Sequence, residues 1–169
     1  MCTYLKDATI HIAEEDIKCY KVVDLTYEVE GVYYKSAYFR YYYEKGKRYH
    51  VELPTPSEEQ SIYTGGARTK YINRGFHSFE KLEDAKEECR YLRDSKIVEC
   101  IIPKGSHYYK GFEECSQFNQ EKLCYELGFF IPSYVSEDII LNDTLPWSFP
   151  FNYGDECIYL RIYRHQWST

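Results

Sequence analysis

Apolar and polar positions alternate in short blocks along most of this chain, the two-residue period of strands half buried in a sheet. IKCYKVV at 17–23 is β-branched and aromatic behind the polar approach AEED, and predicts a strand. VYYKSAYFRYYYEKGKRYHV at 32–51 is dominated by aromatic and aliphatic residues except at Glu44-Lys45-Gly46-Lys47. That interruption reads as a hairpin turn, with Gly46 free to take positive φ. IVECII at 97–102 is a buried-type strand stopped by Pro103-Lys104-Gly105, and SHYYKG predicts a short strand and turn. SYVSEDIIL at 133–141 and ECIYLRIYR at 156–164 complete the strand pattern.

A different period appears in KLEDAKEECRYLR. Leu82, Ala85, Cys89 and Leu92 share one face at helical spacing, which predicts a helix from about 81 to 93. Ser78 stands close enough to cap it, and Glu80, Glu83 and Asp84 suit the positive end of the helix dipole. FEECSQFNQEKLCYEL at 112–127 carries neither period cleanly and is read as a short helix. LPTPSEEQ followed by Gly65-Gly66 marks 53–70 as a long exposed connection. The sum is an α+β fold in a single domain over 1–169: a mostly antiparallel, tyrosine-rich sheet with one main helix packed on it.

Composition changes this picture in kind. The chain has 20 Tyr and 9 Phe against one Met, so its apolar surface is largely aromatic. Tyrosine fits a pleated, half-buried face, and it also supplies contact area at partner-facing surfaces. A formal net charge of −6 lacks the basic footprint of a nucleic-acid binder, so no direct nucleic-acid partner is expected. An acidic surface suits docking on a basic protein. The first residues lack the basic start and apolar stretch of a secretory signal, and Pro132 interrupts LGFFIPSYV, the most apolar run, so a soluble cytoplasmic protein without membrane contact is expected. Cysteines at 2, 19, 89, 100, 115, 124 and 157 form no C-x-x-C pair and read as small buried hydrophobes.

Four stretches taken in order, CYKVV, YYYEKGKRYHV, GFHSF followed by KLEDA, and VECIIPKGSHYYKG leading to YVSEDIIL, resemble a family of small uncharacterised proteins of bacteriophages and mobile elements. The resemblance covers roughly 17–141 and leaves 142–169 as a C-terminal addition ending in a strand. It implies a setting in which a small protein inhibits a host defence, by binding a defence protein or sequestering a nucleotide signal. A strand ending in IIPKGSHYY, preceded by Gly75-Phe76-His77-Ser78-Phe79, is also distantly similar to ADP-ribosyltransferase-like folds. That likeness implies Tyr20, His77–Ser78 and Glu99 or Glu137 around a nicotinamide nucleotide. The first-strand arginine and the Glu-x-Glu pair of those enzymes are absent.

The residues with chemistry to offer are scattered. His77 and Ser78 are adjacent, so on a strand they point to opposite faces and do not form a nucleophile–base pair. The packing role is the favoured reading: Gly75 turning, Phe76 and Phe79 entering the core, Ser78 capping. The five histidines show no H-x-x-H spacing, and no metal is expected. Pro103-Lys104-Gly105-Ser106 lacks the frame of a phosphate-binding loop. Glu113–Glu114 and Glu137–Asp138 read as solvent-facing acids. No catalytic residue and no cofactor are assigned. Arg74, His77, Lys104, His107, Tyr34, Tyr38 and Tyr42 are the candidate contacts of a non-enzymatic binding protein, whose partner is a host protein or a small nucleotide-like ligand. A divergent ADP-ribosyltransferase-like enzyme is the alternative, and the oligomeric state is open.

Overall fold

The computed structural model describes residues 3–5, 8–28, 31–36, 41–60, 68–90, 95–119 and 124–146. In chain order the elements begin with β1 (Thr3–Leu5), β2 (His11–Ile12), β3 (Ile17–Glu28), β4 (Gly31–Ser36), β5 (Tyr42–Tyr43) and β6 (Arg48–His50). There follow β7 (Ser57–Gln60), β8 (Arg68–Ile72), β9 (Phe76–Phe79), the helix α1 (Leu82–Arg90), β10 (Ser95–Ile102), β11 (His107–Asn119), β12 (Cys124–Ser136) and β13 (Asp138–Thr144). The strands join in one sheet in the order β6-β13-β10-β3-β9-β12-β11-β1-β8-β7, and their pairings are antiparallel. The fold is therefore predominantly β, with a single short helix among the described residues.

β3 is the axis of this sheet. One edge pairs with β10 from Ile17↔Ile102 to Asp24↔Ser95. The other edge is shared, with β9 at Tyr20↔Phe79 and with β4 from Val23↔Ser36 onward. Residues opposite each other in a ladder share a face. Cys19 with Cys100 and Lys21 with Val98 therefore point one way, and Tyr20 with Glu99 and Val22 with Ile97 the other. The first face meets Phe76, Tyr108, Tyr134, Ile139 and Leu141 in the main core, so the sheet folds over and packs against itself. On the second face, Ala85 and Cys89 of α1 cover Val22, Phe79, Ile97 and Ile131. Ala85 and Cys89 belong to the predicted amphipathic stripe, whose fourth member, Leu92, lies outside the described residues, and each fully buried Ile or Phe contributes roughly 1.5–3 kcal/mol.

Several expectations are corrected. Residues 112–119 and 124–127 are strand rather than helix: β11 and β12 pair from Tyr108↔Ser136 to Asn119↔Cys124 with one register shift between Cys115 and Ser116, and the long ladder outweighs a weak local helical pattern. Within 53–70, β7 pairs with β8 from Ser57↔Tyr71 to Gln60↔Arg68, so part of the expected loop is a ladder. Ser78 does not cap α1. It lies inside β9 opposite Tyr134, and the first helical hydrogen bond runs from Ala85 N–H to the Lys81 carbonyl. The turn at 44–47 forms, with Gly46 at φ 75°, but its flanks part company: β5 pairs with β4, and β6 with β13. The expected strand 133–141 breaks at Glu137 into the end of β12 and the start of β13. The expected strand at 156–164 lies outside the described residues.

That break is a built corner. Asp138 is nearly inaccessible to solvent and accepts hydrogen bonds from Arg48 Nε and Nη2, both 3.0 Å, and from Ser106 Oγ at 2.9 Å, with His50 Nδ1 3.1 Å away. Glu137 accepts from the His107 backbone N–H at 2.8 Å and stands 2.9 Å from its Nδ1. The reading of these two acids as solvated faces is thus overturned, because the corner needs both to tie β6 and the start of β11 to the bend.

The remaining half of the sheet is tightly coiled. β9 and β1 are three strand spacings apart, and the registers offset His77 from Thr3 by four residues along the strands. On a flat sheet that would be roughly 14 Å across and 13 Å along. Their side chains instead meet at 2.8 Å. The crease holds small residues, Gly111 paired with Ser133 on one side and Leu5 on the other. A methyl on Gly111 would run into the Tyr4 carbonyl and Thr3 Cγ2. Gly111→Ala is therefore expected to lower stability by about 1–3 kcal/mol, measured by urea unfolding. A neutral result would show that the coil does not depend on this contact.

Candidate functional site

The unusual chemistry of the fold collects where the coil closes. Lys21 lies on the inward row of β3 between Cys19 and Val23, and only 8% of it is exposed. Its Nζ donates to the His77 carbonyl at 2.6 Å and stands 5.9 Å from the centre of the Tyr43 ring. Burial lowers its pKa, opposed by the nearby Cys100, Glu113 and Cys19. His77, 4% exposed, meets Thr3 Oγ1 through Nδ1, and the same nitrogen is 3.6 Å from Glu113 Oε1. Burial, with the Lys21 charge behind it, pulls the His77 ring down to about 3, so it is neutral at pH 7. Burial pushes Glu113 up to about 7 against the pull of Lys21. Glu113 Oε1 and Ser133 Oγ find no hydrogen-bond partner among the described residues.

An amine, an imidazole and a carboxyl in one cluster are the components of acid–base chemistry. Here they are enclosed, and the amine is held by a backbone carbonyl. The arrangement holds charge inside the fold, with Lys21, His77 and Glu113 all buried.

The accessible features lie elsewhere, around β5 and β6. Tyr41 and Tyr42 are 40% and 45% exposed. The Tyr41 ring packs against Tyr43, Tyr49 and Phe76, with centroids 4.9, 5.9 and 6.2 Å away. Tyr43 is buried beneath it, edge-on to Tyr49. Lys47 stands 5.6 Å from the centre of the Tyr49 ring, and Arg48 and His50 on β6 are exposed apart from their grip on Asp138. β6 ends the sheet, so aromatic rings and cationic groups sit together at an edge.

The residues singled out from sequence do not form one site. Arg74 is exposed in the turn before β9, and Lys104 in the turn before β11, where its backbone N–H donates to Asp16 Oδ1 at 2.8 Å. His107 is engaged by Glu137. Tyr34 is buried and its hydroxyl donates to the Asn142 carbonyl at 3.0 Å, so it offers no surface. Tyr42 is exposed, and Tyr38 lies outside the described residues. Of the residues suggested by the ADP-ribosyltransferase likeness, Glu99 ion-pairs with Lys18 at 2.5 Å and Glu137 holds His107. The carboxylate beside His77 is Glu113. Glu113, read beside Glu114 as a solvent-facing acid, is instead buried where β11 runs under the coil. Lys21 was missed, though it left a signal: it is the one charge on the otherwise apolar inward row of β3.

No protein family, curated protein or solved structure matches the chain. Among the described residues, no group of three or more His, Cys, Asp or Glu is arranged to hold a metal, and no helix is long and apolar enough to cross a membrane.

The raised pKa of Glu113 gives a signed prediction. Between its unfolded value near 4.5 and about 7, the unfolded chain has lost a proton that the folded protein keeps, so this group makes stability fall as pH rises through that window. Glu113→Gln should remove that decline, and urea unfolding from pH 4.5 to 8 should show the wild type losing stability relative to the variant. Parallel profiles would refute the assignment.

Proposed function

We propose that this is a non-enzymatic binding protein that engages its partner through the β5–β6 edge. The observation that carries the reading is the exposed pair Tyr41 and Tyr42, with the Tyr41 ring braced from below by Tyr43, Tyr49 and Phe76. A braced aromatic loses little conformational freedom on binding, and such residues dominate interface energetics when they become buried. Lys47, Arg48 and His50 beside them supply directional polar contacts at the rim. The enclosure of the Lys21–His77–Glu113 cluster supports binding over catalysis.

The partner is a protein of a bacterial host, consistent with the resemblance to bacteriophage proteins, and a nucleotide-like ligand stacking on the same rings is the second occupant. Inhibition of a host defence is the role this surface would serve. The test is co-purification from bacterial cells, with mass spectrometry of retained proteins and released nucleotides, run beside a Tyr41→Ala, Tyr42→Ala double variant. Wild type is expected to retain one specific partner and the variant to retain at least about tenfold less, the scale of an interface hot spot. A wild type that retains neither class, or a variant that retains the partner equally, would sink the proposal.

A further inference from the structure

Cys19 and Cys100 face each other across the β3–β10 ladder, directly opposite in register, both free thiols and both fully buried. Opposite residues of an antiparallel pair hold their Cα atoms about 4.5–5.5 Å apart, within the span of about 4.4–6.8 Å that a disulfide bridges. Both side chains belong to the main core, so they point to the same side of the sheet. Cys100 also sits at an irregularity: the β10–β13 ladder steps from Val98↔Thr144 to Cys100↔Leu141. A bulge of this kind re-aims side chains and loosens the local backbone.

We propose that Cys19 and Cys100 form a reversible thiol–disulfide pair, a modification site closed by a small peroxide. The two thiols have different surroundings. Burial opposes ionisation of Cys19, but the neighbouring Cys100 and Ser78 side chains and the charge of Lys21 outweigh it and hold this thiol below its ordinary range. Burial and the neighbouring Cys19 push Cys100 well above it. Cys19 is therefore the attacking sulfur and Cys100 the resolving one.

The Cys19 thiolate attacks one peroxide oxygen, the O–O bond breaks, and a sulfenic acid forms as the departing hydroxide takes up a proton to become water. Cys100 then attacks the Cys19 sulfur. The S–S bond forms, the S–O bond breaks, and hydroxide leaves with the Cys100 proton as a second water. Two thiols lose two electrons and one peroxide gains them. A small neutral oxidant suits a fully buried pair, because it enters with local opening of the sheet and needs no docking surface. A dithiol reductant reverses the step.

The folded protein is treated with hydrogen peroxide, with glutathione oxidation in the same buffer as the measure of exposure. It is then quenched in acid, unfolded, alkylated and digested. The expected result is a linked Cys19–Cys100 peptide pair and an intact mass lower by two hydrogens, both reversed by dithiothreitol. Cys89→Ser, which removes a buried thiol outside the pair, should leave the link intact, while Cys19→Ser or Cys100→Ser should abolish it. Full alkylation of both cysteines after exposure that has oxidised the glutathione would overturn the proposal. So would recovery of Cys19 linked to another cysteine, or over-oxidised beside a free Cys100. The wild-type peptide map decides the matter even if a serine variant fails to fold.

Discussion

An ammonium group withdrawn from water must be satisfied by the chain around it, and the position of Lys21 on the axial strand makes that requirement felt across the sheet. Its Nζ is held by the carbonyl of His77 on the neighbouring strand β9, while its charge lowers the His77 ring and restrains Glu113. His77 passes the connection on through Thr3, which β1 delivers only because the sheet coils. A single buried charge thus links β3, β9, β11 and β1 into one electrostatic unit. An apolar residue at position 21 would pack with Val98 and Val23 but would leave the coil without this polar centre.

The corner at Glu137–Asp138 complements that unit from outside. Where the Lys21 cluster holds its charge in the interior, Asp138 has burial working against it and is kept ionised by Arg48, Ser106 and His50. Hydrogen bonds to a charged group are about twice as strong as neutral ones, which suits a point where one strand leaves β12's ladder and enters β10's. The β5–β6 edge borrows this rigidity, since the Arg48 and His50 that anchor the corner also stand beside the exposed tyrosines.

The local elements were more legible in the sequence than their partners. The β-branched and aromatic content of IKCYKVV and the short apolar run IVECII marked strands, and the spacing of Leu82, Ala85 and Cys89 marked the helix, because each is a local property of the chain. The 112–127 segment was misread because its conformation is set by pairing partners distant in sequence. The EKGK turn was recognised, but where its two flanks go is a choice made by β4 and β13. Of the candidate site, Tyr42 was visible as an aromatic in a strand, whereas the bracing of Tyr41 by Phe76 is purely tertiary. Asp138 was misjudged for the same reason, since an acid beside another acid looks solvated until Arg48 and Ser106 are seen to reach it.

The shared edge of β3 has a mechanical consequence. On one side β3 and β10 are held by a long run of bonded pairs that a pulling force would load together, as in shear. On the other, the ladder between β3 and β9 is the single pair Tyr20↔Phe79 among the described residues, reinforced by the Lys21 bond to the His77 carbonyl, a junction that opens one bond at a time, as a zipper does. Opening along this seam would part β3 and β10 from β9 and β12, and would have to break the Lys21 bond to the His77 carbonyl and uncover the core that both halves share. The seam runs beside Lys21, so each such excursion would bring water to a charge that the closed protein keeps dry.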